Sequence, residues 1–101
     1  MPYGLTKSTI SRINEVFDQY PEIERVILYG SRAKGTFNNG SDIDLVCVGK
    51  KLTHALVRDA SKDLDNLLLP YSIDLSILES ISNQELLEHI ERVGIVFYHK
   101  P

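Results

Sequence analysis

Short apolar runs alternate with longer amphipathic segments along this chain, and that alternation limits the folds open to it. Four runs are rich in β-branched or aromatic residues and short enough for strands: residues 25–29, 42–48, 72–78 and 95–98. Three segments repeat apolar residues at helical spacing: residues 6–19, 52–68 and 83–93. We therefore predict an α/β (α+β) fold in which helices cover a mixed sheet of about four strands.

Residues that favour helix ends support these boundaries. Thr53 is placed to cap the start of the second helix, and Pro70 prevents its continuation. Ser82 followed by Glu85 has the spacing of a capping box, which predicts the start of the last helix. Gly94 follows that helix and suits a C-terminal cap.

Composition narrows the class of protein. The 101 residues predict one domain, residues 1–101, and the net charge of −3 argues against direct nucleic-acid binding. Cys47, the single cysteine, stands in an apolar run and is expected to be a buried small hydrophobe. No signal-like segment or run of membrane-spanning length is found, so we expect a cytoplasmic protein without membrane contact.

Two aspartates stand one residue apart at the start of the second predicted strand. Asp42 and Asp44 project to the same face, because side chains alternate along a strand. Carboxylates beside apolar residues need a positive partner, and Mg²⁺ prefers such oxygen ligands together with substrate phosphates. Asp74 lies on the polar face of the next strand. Pairing of the two strands therefore predicts three acids at one metal site.

A candidate anion site precedes these aspartates. Gly30 ends a strand and permits close backbone approach to a ligand, and Ser31 begins a short helical turn with free amide groups. Arg32 and Lys34 add positive charge. An anion site joined by one loop to a metal site is what a metal-bound nucleoside triphosphate needs.

Other interpretations of these residues are weaker. The segment at residues 30–35 has the glycine spacing of a P-loop but lacks its Lys-Ser/Thr pair, and the segment from Asp42 lacks the glycine and glutamate of an EF-hand. Taken alone, Asp42 is explained by a turn end and Gly30 with Ser31 by a turn. Solvated or structural roles are expected for the histidines, which are His54, His89 and His99.

The combined motifs, GSRAKG at residues 30–35 and SDIDL at residues 41–45, resemble the signature of the nucleotidyltransferase superfamily related to DNA polymerase beta. Nearly the full chain resembles the minimal nucleotidyltransferases (MNT) of that superfamily, including its end, where the segment HIERVG leads into an apolar strand that closes at Tyr98. This resemblance implies the nucleotidyltransferase fold and the transfer of NMP from ATP or another NTP to an acceptor.

The resemblance also implies a role for each site residue. Asp42 and Asp44 hold one or two Mg²⁺ ions, or Mn²⁺, against the triphosphate, and Asp74 completes the metal site and helps to deprotonate the acceptor. The nucleotide-binding residues implied are Gly30, Ser31, Arg32, Lys34 and Ser41.

Proteins of the MNT type commonly pair with a helical HEPN toxin, an RNase, and some add AMP to a tyrosine of that toxin. The resemblance therefore implies an adenylyltransferase antitoxin that forms a hetero-oligomer with its partner. Two alternatives remain at this point. One is a non-catalytic antitoxin that neutralises its partner by contact, and the other is a small-molecule nucleotidyltransferase of the aminoglycoside type.

Overall fold

The computed structural model describes all residues 1–101 and contains four α-helices and four strands. The helices are α1 (Lys7–Asp18), α2 (Ser31–Lys34), α3 (His54–Asp65) and α4 (Gln84–Val93). The strands are β1 (Arg25–Tyr29), β2 (Ile43–Val48), β3 (Ile73–Ile77) and β4 (Ile95–His99). Single 3₁₀ turns occur at Pro2–Gly4 and Leu78–Ser80.

The strands form one mixed sheet in the order β3-β2-β1-β4. Strand β1 pairs antiparallel with both β2 and β4, whereas β2 and β3 are parallel. The parallel pair is possible because helix α3 carries the chain from the end of β2 back to the start of β3. The predicted fold class, a mixed sheet of four strands covered by helices, is confirmed.

The two faces of the sheet are covered unequally. Helices α1 and α3 pack on one face over the main core, which includes Phe17, Leu28 and Leu45. Helix α4 covers the other face through a small cluster built on Tyr29, Val46 and Ile90. Because strand side chains alternate, the residues between the core positions of β2 and β3 point toward this thinly covered face.

Helix α3 begins as predicted but ends earlier. The Thr53 hydroxyl accepts a hydrogen bond from the Leu56 amide at 3.1 Å and caps the first turn. The predicted extension of the helix to residue 68 is wrong, because the helix ends at Asp65. Leu68 instead has a positive φ of 56° and is 87% exposed. The apolar spacing continues past the point at which the backbone leaves the helix.

Helix α4 is capped by a different residue from the one predicted. The Asn83 side chain accepts the hydrogen bond from the Leu86 amide at 2.9 Å, so Ser82 is not the cap. Gly94 does follow the helix, but in an extended conformation rather than a left-handed one. A glycine is favoured there by space, since a Cβ at this position would collide with the carbonyl oxygen of Ile90.

No helix of the chain combines the length and the apolar character needed to cross a membrane.

Candidate active site

Strand pairing brings two of the predicted acids side by side. Asp44 on β2 and Asp74 on β3 are register partners in the parallel pair. Their neighbours along the strands, among them Leu45 and Leu75, are buried in the main core, so both carboxylates lie on the face covered by α4. Asp42 is exposed and stands just before β2. The two strands therefore pair as predicted and place Asp44 beside Asp74, whereas Asp42 lies outside the strand and the three-acid metal site stays a prediction.

Burial and neighbouring carboxylates raise the pKa values of two side chains in this region, those of Asp44 and Tyr29. The pKa of Asp44 is raised, first by partial burial and then by the charges of Asp74 and Asp42, while His89 opposes the shift. Tyr29 is the register partner of Asp44 on β1, and burial followed by the charges of Asp74 and Asp44 raises its pKa to about 12. Asp74 and Asp42 thus act on Asp44 as neighbouring negative charges, and His89 acts in the opposite direction.

Gly30 brings the loop after β1 against the aspartates. Its φ of 76° lies in the region that favours glycine, and a Cβ on it would collide with the Asp44 carboxylate. Its amide donates a hydrogen bond to Nε2 of His89 at 3.1 Å. The loop backbone is therefore held close to the acidic site from the side of α4.

His89 is a site neighbour that the sequence did not reveal. The structural role expected of it is observed, because its ring accepts from Gly30 and packs edge-on to Tyr29 at a centroid distance of 6.2 Å. Its proximity to Asp44 was not predicted. A histidine on a helix face gives no local signal of a contact with a residue 59 positions away.

Helix α2 is a single turn that begins directly after Gly30, the residue that lies against Asp44. Ser31 is half-buried at its start, and the amides of a first turn have no partner within the helix. Lys34 at its end is exposed. Gly35 then reverses the chain in a left-handed conformation. The loop therefore offers a hydroxyl, amide groups and one free ammonium group.

Arg32 has a different environment from the one predicted for a phosphate ligand. Its side chain is 2% exposed, and its guanidinium contacts the rings of both Phe37 and Tyr71. It donates hydrogen bonds of 2.8–3.4 Å to backbone carbonyls, those of Tyr3, Asn39 and Ser41. These donors are engaged inside the protein, so Lys34 is the basic side chain of the loop that faces solvent.

Ser41 connects this loop to the acids. Its carbonyl accepts two hydrogen bonds from Arg32, at 2.9 and 3.1 Å. Its hydroxyl accepts a hydrogen bond from the Asn38 amide at 2.8 Å. Ser41 therefore shapes the turn that ends at Asp42, and its predicted contact with the nucleotide stays a prediction.

The carboxylates fit a divalent metal ion that arrives with further ligands. The aspartates that accept hydrogen bonds are Asp18 and Asp63, both elsewhere, so Asp42, Asp44 and Asp74 keep their oxygens free. As they stand, no three acidic, histidine or cysteine side chains are grouped closely enough to hold an ion. Mg²⁺ commonly binds through one or two carboxylates and completes its shell with substrate phosphates. The donor set suits that mode of binding.

Solved structures with the same fold include chains of toxin–antitoxin complexes. One is from a toxin–antitoxin complex with AMP-PNP, at 23% identity and a TM-score of 0.71, covering 95% of this chain and 75% of that chain. Another is from the tri-AMPylated Shewanella oneidensis HEPN toxin in complex with MNT antitoxin, at 18% identity and a TM-score of 0.69, covering 95% and 74%. A third is from the MntA-HepT complex, at 18% identity and a TM-score of 0.67, covering 94% and 74%.

Sequence comparison identifies the family. No match was found among curated proteins. The family described as polymerase beta, nucleotidyltransferase, matches residues 11–101, a span that contains the Gly-Ser loop, all three aspartates and the whole sheet. Because that match covers most of the chain and its motifs meet at one site, this protein belongs to the polymerase beta nucleotidyltransferase family.

Proposed function

We propose that this nucleotidyltransferase moves AMP from Mg²⁺–ATP to a tyrosine hydroxyl of a HEPN-type toxin and so acts as its antitoxin. The observation that carries the proposal is the register of Asp44 and Asp74 on adjacent parallel strands, with Gly30 directly beside Asp44 and Ser31 the next residue in the chain. The fold shared with a chain from an AMPylated HEPN toxin complex supports the choice of acceptor. Cytoplasmic location and a hetero-oligomer with the toxin belong to the same proposal.

Each site residue has a defined part in this reaction. Asp42, Asp44 and Asp74 would hold the metal ion, which supplies positive charge to the attacking and leaving oxygens of the displacement. The hydroxyl and amide of Ser31 bind the outer phosphates, and Lys34 offsets their charge. Gly30 allows the triphosphate to approach the backbone closely.

The transfer balances as an in-line displacement. The acceptor hydroxyl oxygen forms a bond to the α-phosphorus, and the bond from that phosphorus to the bridging oxygen of pyrophosphate breaks. Asp74 is exposed and takes the hydroxyl proton as the new bond forms. The products are the AMP ester of the acceptor and pyrophosphate.

An exposed site suits an acceptor that is presented by another protein. Asp42 and Asp74 are both exposed, and α4 covers this face of the sheet only through a small cluster. A tyrosine side chain on a folded partner reaches such a site without any opening of this chain. This accessibility favours a macromolecular acceptor over a small one enclosed by the protein.

Adduct mass on a partner toxin tests the proposal. The purified protein is incubated with a HEPN-type toxin, Mg²⁺ and isotopically labelled ATP, and the intact mass of the toxin is followed. We expect a gain of one or more AMP units that requires Mg²⁺ and is lost with Asp44→Asn. Peptide mapping then assigns the modified residue as tyrosine or as another residue.

The same experiment separates the proposal from neutralisation by contact. An inhibited toxin without any mass gain would show that binding alone silences it, and would overturn the transfer reaction. Modification of an aminoglycoside but of no protein would instead assign the small-molecule reaction. Labelling by GTP or CTP in preference to ATP would show that the nucleotide substrate is not ATP and would leave the proposed transfer mechanism unchanged.

A further inference from the structure

Arg32 is the one charged side chain in the buried set, at 2% exposure. Its guanidinium carbon lies 5.1 Å from the ring centroid of Phe37 and 4.7 Å from that of Tyr71. A buried cation is costly unless its donors and its charge are both satisfied. Here backbone carbonyl oxygens accept hydrogen bonds from the guanidinium, and two aromatic rings contact it. The pocket that holds Arg32 therefore satisfies both its donors and its charge.

Arg32 contacts two residues that are close in the chain to the aspartates, namely Ser41 before Asp42 and Tyr71 before Asp74. The Ser41 carbonyl that accepts from Nε and Nη2 belongs to the peptide group joining Ser41 to Asp42. That group is planar, so holding its oxygen also holds the Cα of Asp42. Tyr71 lies three residues before Asp74, and the carbonyl of Ser72 accepts a hydrogen bond from the Ile43 amide at 2.9 Å.

We propose that Arg32 is the positioning residue of the acidic site. It fixes Asp42 through the Ser41 carbonyl. Through its contact with Tyr71 it also fixes the start of β3 and therefore Asp74. The proposal rests on the proposed function in one respect, namely that these aspartates bind the metal–nucleotide. Arg32 itself contacts no reacting atom, because its donors are taken by backbone carbonyls.

The geometry requires an arginine. One planar fork reaches the carbonyls of Tyr3 and Ser41 at the same time, at 2.8 and 2.9 Å, while the guanidinium carbon lies over the rings of Phe37 and Tyr71. A lysine places a single ammonium group at the end of a flexible chain and cannot bond on both sides of that fork. Arg32→Lys therefore keeps the charge but loses the hydrogen bond to at least one of the two carbonyls, that of Tyr3 or that of Ser41.

A matched pair of variants tests this role. Arg12 also donates from Nη2 to a backbone carbonyl, that of Leu67 at 2.7 Å, but it is exposed and lies on α1. Arg32→Lys and Arg12→Lys thus make the same chemical change at the site and away from it. The measurements are circular dichroism for folding, amide hydrogen exchange across residues 36–44, and Mn²⁺ affinity in the presence of a non-hydrolysable ATP analogue.

We expect faster exchange in residues 36–44 and a loss of Mn²⁺–nucleotide affinity of about 10-fold or more for Arg32→Lys, as for other outer-shell partners of metal ligands. Arg12→Lys is expected to match the wild type in both measurements. Wild-type exchange and wild-type affinity in a folded Arg32→Lys protein would overturn the proposal.

Failure of the proposed function has a different signature. If the wild type binds no Mn²⁺–nucleotide, the metal site is wrong, and exchange in residues 36–44 alone then decides whether Arg32 fixes Asp42. If Arg32→Lys does not fold, Phe37→Leu keeps the arginine and its carbonyl bonds but removes one of its two aromatic contacts. We expect Phe37→Leu to show faster exchange in residues 36–44 and weaker Mn²⁺–nucleotide affinity, both by less than Arg32→Lys would. Wild-type exchange and affinity in Phe37→Leu would then overturn the proposal.

Discussion

Asp44 combines partial burial with two nearby carboxylates, so it should destabilise the metal-free fold at neutral pH. Its pKa in the folded state lies above the usual 3.8, which means that the folded state holds the proton more tightly than the unfolded chain. Stability is therefore lost as the pH rises through this window, and the loss persists at pH 7. A binding site that concentrates negative charge commonly trades stability for function.

Asp44→Asn tests that trade-off. In a buffer with chelator, we expect this variant to melt at a higher temperature than the wild type at neutral pH, because the conflict with Asp74 and Asp42 is relieved. The difference should shrink at about pH 3, where the wild-type carboxyl is protonated in both states. Glu15→Gln, at an exposed position of α1, is the control. A lower melting temperature for Asp44→Asn at pH 7 would contradict this account.

Asp74→Asn should separate catalysis from folding. We expect AMP transfer to a partner to fall by about 10²- to 10⁴-fold, the range for loss of a positioned acid–base group. The melting temperature should not fall, because Asp74 is exposed and its loss removes one of the charges that repel Asp44. The measurement is the rate of mass gain on the partner, with Glu79→Gln, an exposed acid just after the same strand, as control. Transfer at the wild-type rate would remove Asp74 from the site.

Three glycines of one loop allow backbone strain and steric collision to be separated. Gly30→Ala should cost about 2–3 kcal/mol, since its conformation is strained for other residues and its Cβ meets Asp44. Gly35→Ala has the positive φ but open space and should cost about 1 kcal/mol, while Gly40→Ala should be nearly neutral. Urea denaturation measures all three. Equal losses for Gly30→Ala and Gly35→Ala would exclude the collision with Asp44.

At the scale of elements, helix ends depend on which side chain reaches the first-turn amides. Asn83 and Ser82 are adjacent residues that both favour this position, and the backbone entering α4 places Asn83 there. The pattern of Ser82 and Glu85 matches a capping box because such patterns are local and degenerate. Where two cap-forming residues are neighbours, only the direction of the incoming chain selects one.

The cap of α4 is tested by a pair of substitutions. Asn83→Ala should reduce the free energy of unfolding by about 1 kcal/mol, because the Leu86 amide loses its acceptor. Ser82→Ala should change it by less than about 0.5 kcal/mol, as expected at an exposed position without that contact. Chemical denaturation of both variants gives the comparison. A larger loss for Ser82→Ala would restore the capping box predicted from the sequence.

At the scale of the whole molecule, two tyrosine–aspartate hydrogen bonds fasten the end of α1 to distant elements. Tyr20 donates to Asp63 on α3, and Tyr98 on β4 donates to Asp18 at 2.8 Å. The hydrogen bond to Asp63 is the main reason that the pKa of Tyr20 rises to about 12, and burial is the main reason for Tyr98, whose pKa also rises to about 12. Both bonds join segments far apart in the chain.

These bonds predict the response to alkali. The folded state holds both phenolic protons above the usual pKa of 10.0, so stability is intact below that pH and is lost as the pH rises through about 12. The double variant Tyr20→Phe/Tyr98→Phe should be less stable at neutral pH, by about 1 kcal/mol for each hydrogen bond. It should also lose less stability than the wild type as the pH rises from 10.0 to about 12, in thermal melts. An equal alkaline loss would show that these tyrosines do not cause it.

The sequence by itself determined the features that depend on local periodicity. Strand alternation placed Asp44 opposite the core face of β2 and Asp74 opposite that of β3, and Thr53 marked the start of α3. The Gly-Ser loop and the spaced aspartates pointed to the family that the sequence comparison then identified. These features depend on neighbours within a few residues, so they can be predicted without a structure.

Only the tertiary structure decided which long side chains face inward. Arg32 has the sequence context of a solvent-facing cation, yet its surroundings come from Tyr3 and Tyr71, which lie 29 and 39 positions away. His89 has the context of a helix-face residue, yet its ring accepts a hydrogen bond from the Gly30 amide, 59 positions away. A side chain that can lie in water or in a pocket has no local preference strong enough to choose. The pocket exists only after distant segments have packed, so the fold, and not the sequence pattern, assigns such residues their partners.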